Sequence, residues 1–212
     1  MRRLGIMIFF AVVWMTAAAG PKYRAVVVDT ICHAPIEAVQ QTAAKFCRQF
    51  QACPDSLFDW AYVGLEEDQT EKEKTKESRD AIQLRYKERT YDPKTMKGDV
   101  AIDIYVLGIR WWKDTHLGSQ CTHTWSNEIP QRARTHLTAT YSGSLLEGGN
   151  CIFEMEALTP VTTQIHYTFD FTFGQMLAFF ISDKVWQNAI AWRFPVILKN
   201  IVENAEQVKS EK

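Results

Sequence analysis

The stretch Gln164–Trp186, QIHYTFDFTFGQMLAFFISDKVW, decides how this chain is read. In its first half Ile165, Tyr167, Phe169, Phe171 and Phe173 alternate with His166, Thr168, Asp170 and Thr172. Successive side chains of a strand point to opposite faces, so the rings share one face and the polar groups the other. From about Gly174 the pattern turns helical and runs to about Lys209, with apolar residues at Trp186, Ala189, Ile190, Phe194, Ile197, Ile201, Val202 and Ala205. A strand that leads directly into the longest helix should turn its rings towards that helix. The rings are then either packed core or the wall of a cavity. Pro195 lacks the amide proton that a helix interior uses, so a kink or a split is expected there.

Working outward, Tyr23–Ile31 reads as a first strand, rich in β-branched residues. A helix follows, with Pro35 suited to its first turn and Ile36, Val39, Ala43, Phe46 and Phe50 spaced by three and four on one face. Residues 66–80 form a mixed charge run without an apolar residue, read as a solvated loop. Strand patterns then come in succession at Ile82–Tyr86, Val100–Val106, Leu137–Tyr141 and Cys151–Met155, separated by turns at Asp92–Gly98 and Glu147–Asn150. One-sided alternation marks an antiparallel sheet with one wet face. The segment 108–131, with Trp111, Trp112 and Trp125, does not alternate and reads as a loop or hairpin at one end of the sheet.

This order resembles the START-like superfamily, also called Bet v 1-like or polyketide cyclase-like. Three stretches carry the resemblance: VVVDTICHAPIEAVQQTAAKF, TTQIHYTFDFTFG and NAIAWRFPVILKNIVENAEQV. The chain departs from the family pattern in the tryptophan-rich segment and in the length of its charge run. The resemblance implies an α+β helix-grip fold, in which a curved antiparallel sheet grips a long C-terminal helix over an apolar cavity. It also implies an apolar or lipid-like ligand, and some members are cyclases or hydrolases. Tyr141, Tyr167, Phe169, Phe171, Trp186 and Ile190 are the expected ligand-binding residues.

The N-terminus carries a separate message. Two arginines, an apolar run from Leu4 to Met15 and then small residues have the three-part order of a secretory signal peptide, with Ala17–Ala19 as the cleavage signal. Residues 1–19 are thus expected to be removed, leaving a single domain over 20–212 in the periplasm or outside the cell. A membrane anchor is the alternative, since the apolar stretch reaches the lower limit of about 17 residues for a spanning helix. Export would place Cys32, Cys47, Cys53, Cys121 and Cys151 in an oxidising compartment. An odd count leaves at least one thiol without a partner in the chain; Cys47 and Cys53 could close a small loop, or the five could be small buried hydrophobes.

Other chemistry finds little support. With 24 basic and 25 acidic residues the net charge is −1, and no basic footprint for nucleic acid exists. His116, Cys121 and His123 are metal-ligand types, but a fourth ligand cannot be named, so no metal and no cofactor is expected. Nucleophile-elbow, phosphate-loop, dinucleotide and zinc-protease motifs are absent. His136, His166, Asp170 and Glu154 fall on faces assigned to solvent. No catalytic residue is assigned. The expectation is a binding protein, with a cyclase- or hydrolase-type enzyme and an interaction module with a filled core as alternatives. Trp111, Trp112 and Trp125 could cover a cavity mouth or touch a membrane.

Overall fold

The computed structural model describes residues 22–52, 82–106, 109–141 and 145–210. The N-terminal segment, Cys53 and the charge run lie outside them. Among the described residues there are seven strands: β1 (Lys22–Cys32), β2 (Ile82–Asp92), β3 (Lys97–Val106), β4 (Ile109–Ser126), β5 (Arg132–Tyr141), β6 (Leu146–Thr159) and β7 (Thr162–Phe173). The helices are α1 (Ile36–Ala52), α2 (Gln175–Phe180), the single turn α3 (Asp183–Val185), a π-helical turn at Trp186–Ala191, and α4 (Arg193–Ser210). These seven form one curved sheet in the order β1-β7-β6-β5-β4-β3-β2, and all neighbours are antiparallel. The expected α+β helix-grip architecture is present: α1 packs on α4, and both cover the sheet's inner face.

Local chemistry explains the element boundaries. The Pro35 carbonyl accepts the amide protons of Ala38 and Val39, and Glu37 sits in the positive first turn of α1. Between β2 and β3, the Asp92 carboxylate accepts from the Lys94 amide at 2.9 Å and from the Thr95 hydroxyl at 2.8 Å. Met96 completes that turn with φ 53°. The expected break near Pro195 is observed in a particular form. Pro195 is the third residue of α4, where a missing amide proton costs no intrahelical bond, and the π-helical turn lies just before it.

The tryptophan-rich segment differs from its reading as a loop. It is the 18-residue strand β4. Its alternation is hidden because its register against β3 shifts twice, between Ile102 and Ile104 and between Ile104 and Tyr105. Asp114, at φ 49°, stands at the irregularity and donates its amide proton to Asp103 Oδ1 at 2.9 Å. Asp103 is buried, and Lys87 and Arg110 lie 3.2 and 3.3 Å from its other oxygen. A buried carboxylate with a backbone donor and two cations is well compensated, so the bulge is locked rather than loose.

Candidate functional site

Two apolar clusters fill the inner face. The first joins α1 and α4 to β5, β6 and the first half of β7. Here Tyr167 is fully buried and stacks on Phe153, ring centroids 4.6 Å apart. Its hydroxyl receives the Cys151 thiol at 3.7 Å. Burial raises the Tyr167 hydroxyl well above its ordinary value and pushes Cys151 up to about 12. Cys47 and Cys121 belong to the same cluster. Cys121 is lowered by the Cys47 thiol and then by His123, whose Nε2 lies 3.8 Å away; Cys47 is correspondingly raised. Cys32, Cys47, Cys121 and Cys151 are all buried.

The second cluster holds β3, the far end of β7, α2 and Trp186. It does not close completely. A cavity of about 250 Å³ lies between the sheet and the helices. Its sheet side is built by Val100, Ile102 and Ile104 of β3, Leu117 and Ser119 of β4, and Phe171 and Phe173 of β7. Leu145 and Leu146 extend that wall, while Phe50 and Gln51 of α1, Leu177 of α2 and Arg193 of α4 close the helical side. The wall is apolar with few polar groups, the usual composition of a small-molecule pocket. Gly98 and Asp99 complete it, and the Asp99 carboxylate is held by His116 Nδ1 at 2.6 Å, which raises the His116 imidazole.

The aromatic face of β7 thus divides. Phe169 lies against Phe194 of α4 with ring centroids 3.4 Å apart, touching the helix directly. Phe171 meets Phe169 edge-on and borders the cavity. Gly149 opposite explains the pose of that ring. A Cβ on Gly149 would stand 2.5 Å from the Phe171 ring, so only glycine lets the ring lie across β6. Tyr167 belongs to the packed cluster, and Trp186 is buried edge-on to Phe173. The side chains of Tyr141 and Ile190 are outside the described set; Tyr141 pairs with Gly118 and Ile190 falls in the π-helical turn.

His116, Cys121 and His123 do not converge. Cys121 and His123 face inward, whereas His116 faces outward against Asp99. Among the described residues no group of three His, Cys, Asp or Glu could hold a metal. A wider depression of about 580 Å³ exists where β1, β4, β5, β6 and β7 meet, but its charges satisfy one another as Asp29–His166, Glu154–Arg134 and Glu156–Arg132 pairs. The tryptophans do not form one patch. Trp111 and Trp112 begin β4 and Trp125 nearly ends it, about 40 Å further along an extended strand. Trp111 is 44% exposed and Trp125 36%, while Trp112 packs on the second cluster.

No protein-family model matches the chain, and no curated protein matches its sequence. Solved structures do share its layout. Norcoclaurine synthase from Thalictrum flavum is 8% identical over 91% of this chain and 90% of its own, with a TM-score of 0.46. A START superfamily protein from Mycobacterium smegmatis is 11% identical over 89% and 99%, with a TM-score of 0.45. The ZhuI aromatase/cyclase from Streptomyces sp. R1128 is 12% identical over 88% and 95%, with a TM-score of 0.40. These values describe layout and carry nothing about activity. The helix-grip layout of this chain stands on its own strand order and helix placement.

Proposed function

We propose that the protein binds a small apolar or amphipathic molecule, without catalysis, in the cavity between β3, β7 and the helices. The observation that carries this reading is the cavity itself, which is apolar over most of its wall. Its volume of about 250 Å³ sets the scale of the occupant. A dry cavity of about 150 Å³ accepts benzene, and drug-sized pockets begin at about 300 Å³. The fit is therefore a substituted single ring or a short chain, and a two-chain lipid would need the helices to move. Burial of the occupant's apolar area supplies the affinity.

Native mass spectrometry of the purified protein, followed by solvent extraction, tests the reading. A bound species of small mass is expected. A preparation that carries none, and takes up neither monocyclic nor short-chain apolar probes, would overturn it. The proposal further includes export: the signal-like N-terminus supports work outside the cytoplasm, with the mature chain beginning at Gly20.

A further inference from the structure

Helix α1 and strand β4 are tied together at two points. Gln40 Nε2 donates to the Thr124 carbonyl at 3.4 Å, and Gln51 Nε2 donates to Ser119 Oγ at 3.2 Å. Gln40, Cys47 and Gln51 are separated by seven and four positions, so they share one stripe of the helix. Eleven positions of helix cover about 16.5 Å, and the five from Thr124 back to Ser119 cover about the same length of strand. The two elements therefore pass each other in matched steps. Cys47 stands about 10.5 Å from Gln40 along the helix, and Cys121 about 10 Å from Thr124 along the strand. The two cysteines are thus level. Both belong to the first apolar cluster, at 0% and 1% exposure. Their titration agrees with this placement, since the strongest influence on either thiol is the other.

No other described thiol is placed to take Cys121. Cys121 and Cys151 both pair with Leu137, from opposite sides of β5, so two strand spacings, about 9.6 Å, part their backbones. A disulfide needs Cα atoms within about 7 Å. Cys32 is on β1, and β7, β6 and β5 separate it from β4. We propose that Cys47 and Cys121 form a disulfide that staples α1 to β4. The bond forms by exchange with a small disulfide such as oxidised glutathione. The Cys121 thiolate attacks one of its sulfurs, releasing one glutathione thiolate and leaving a mixed disulfide. Cys47 then attacks the Cys121 sulfur and releases the second glutathione. The protein gives up two electrons and two protons, and one glutathione disulfide becomes two thiols. Both cysteines are sealed in the folded protein, so the exchange belongs to folding, before α1 docks. The staple also restrains the end of α1 that brings Phe50 and Gln51 to the cavity wall. The pairing does not depend on the cavity reading; in the cell it needs the oxidising compartment proposed above.

Refolding of the purified protein in a mixture of oxidised and reduced glutathione tests it, followed by alkylation, digestion without reductant and mass spectrometry. A peptide linked through Cys47 and Cys121 is expected, with a melting temperature about 10 °C above that of the reduced protein. Cys121→Ser should lose the linked peptide and the redox dependence of melting, whereas Cys53→Ser should keep both. Alkylation of both Cys47 and Cys121 in the refolded wild type, or Cys47 joined to Cys53, overturns the pairing. A linked protein that melts together with its reduced form overturns the stapling role. The wild-type linkage needs no variant and no cell, so neither poor folding of Cys121→Ser nor a failure of export would shelter the proposal.

Discussion

Phe169 and Phe171 are two residues apart, on the same face of the same strand, and do different work. Phe169 closes the grip on α4 through Phe194, whereas Phe171 borders open space. Phe169→Ala should cost about 3–5 kcal/mol, the range for truncating a packed aromatic. Phe171→Ala should cost less and enlarge the pocket, so thermal denaturation should rank the two variants and bulkier apolar probes should bind only the second. Gly149→Ala acts on the same ring from across the sheet. Its new methyl would drive Phe171 off its place, with an expected loss of about 1–3 kcal/mol and weaker probe binding. The periodicity of β7 puts both rings on the inner face; which of them meets a partner depends on where α4 crosses, and no strand pattern encodes that.

At the scale of elements, β4 shows where pattern reading stops. A period of two is visible only while register holds, and here it slips beside Asp114. The interaction that fixes the slip joins Asp103, Asp114, Lys87 and Arg110, residues on three strands. The Asp114 amide, and then Lys87 and Arg110, hold the Asp103 carboxyl below its ordinary value of 3.8. A carboxylate lowered in the folded state stabilises fully above its unfolded value, and that contribution disappears as pH falls through the folded value. Asp103→Asn should therefore lower the melting temperature at neutral pH, and the gap to wild type should narrow as pH drops below about 3.8. A gap independent of pH would show that shape alone, and not charge, holds the bulge. The π-helical turn before α4 was likewise unreadable, because an apolar helical pattern runs through it without a mark. Pro195 did announce a break, since its missing amide proton restricts where a helix can place it.

For the whole molecule, the sheet closes upon the helices by pairing its first strand with its last, with Val26 against Phe169 in the register. That pairing leaves β1 and β2 as the sheet edges. It also turns Tyr23, Val27 and Ile31 outward, where they are exposed. The proposed export has its own test at this scale. Expression with the native N-terminus, followed by N-terminal sequencing of the secreted or periplasmic material, should find Gly20 first. An intact Met1 in a membrane fraction would favour the anchor instead.

What the sequence by itself determined is local and periodic: one-sided alternation for an antiparallel sheet, three-and-four spacing for α1 and α4, a proline that limits the final helix, and an aromatic inner face on β7. These follow from bonding geometry within a few residues of each position. The tertiary structure alone decided that the inner face is divided between a packed cluster and a cavity, that Gln51 and Ser119 meet beside Gly98, and that His116 is parted from Cys121 and His123. Those outcomes depend on contacts between residues tens of positions apart. Strand register and helix crossing set such contacts, and periodicity along a single segment carries no information about either.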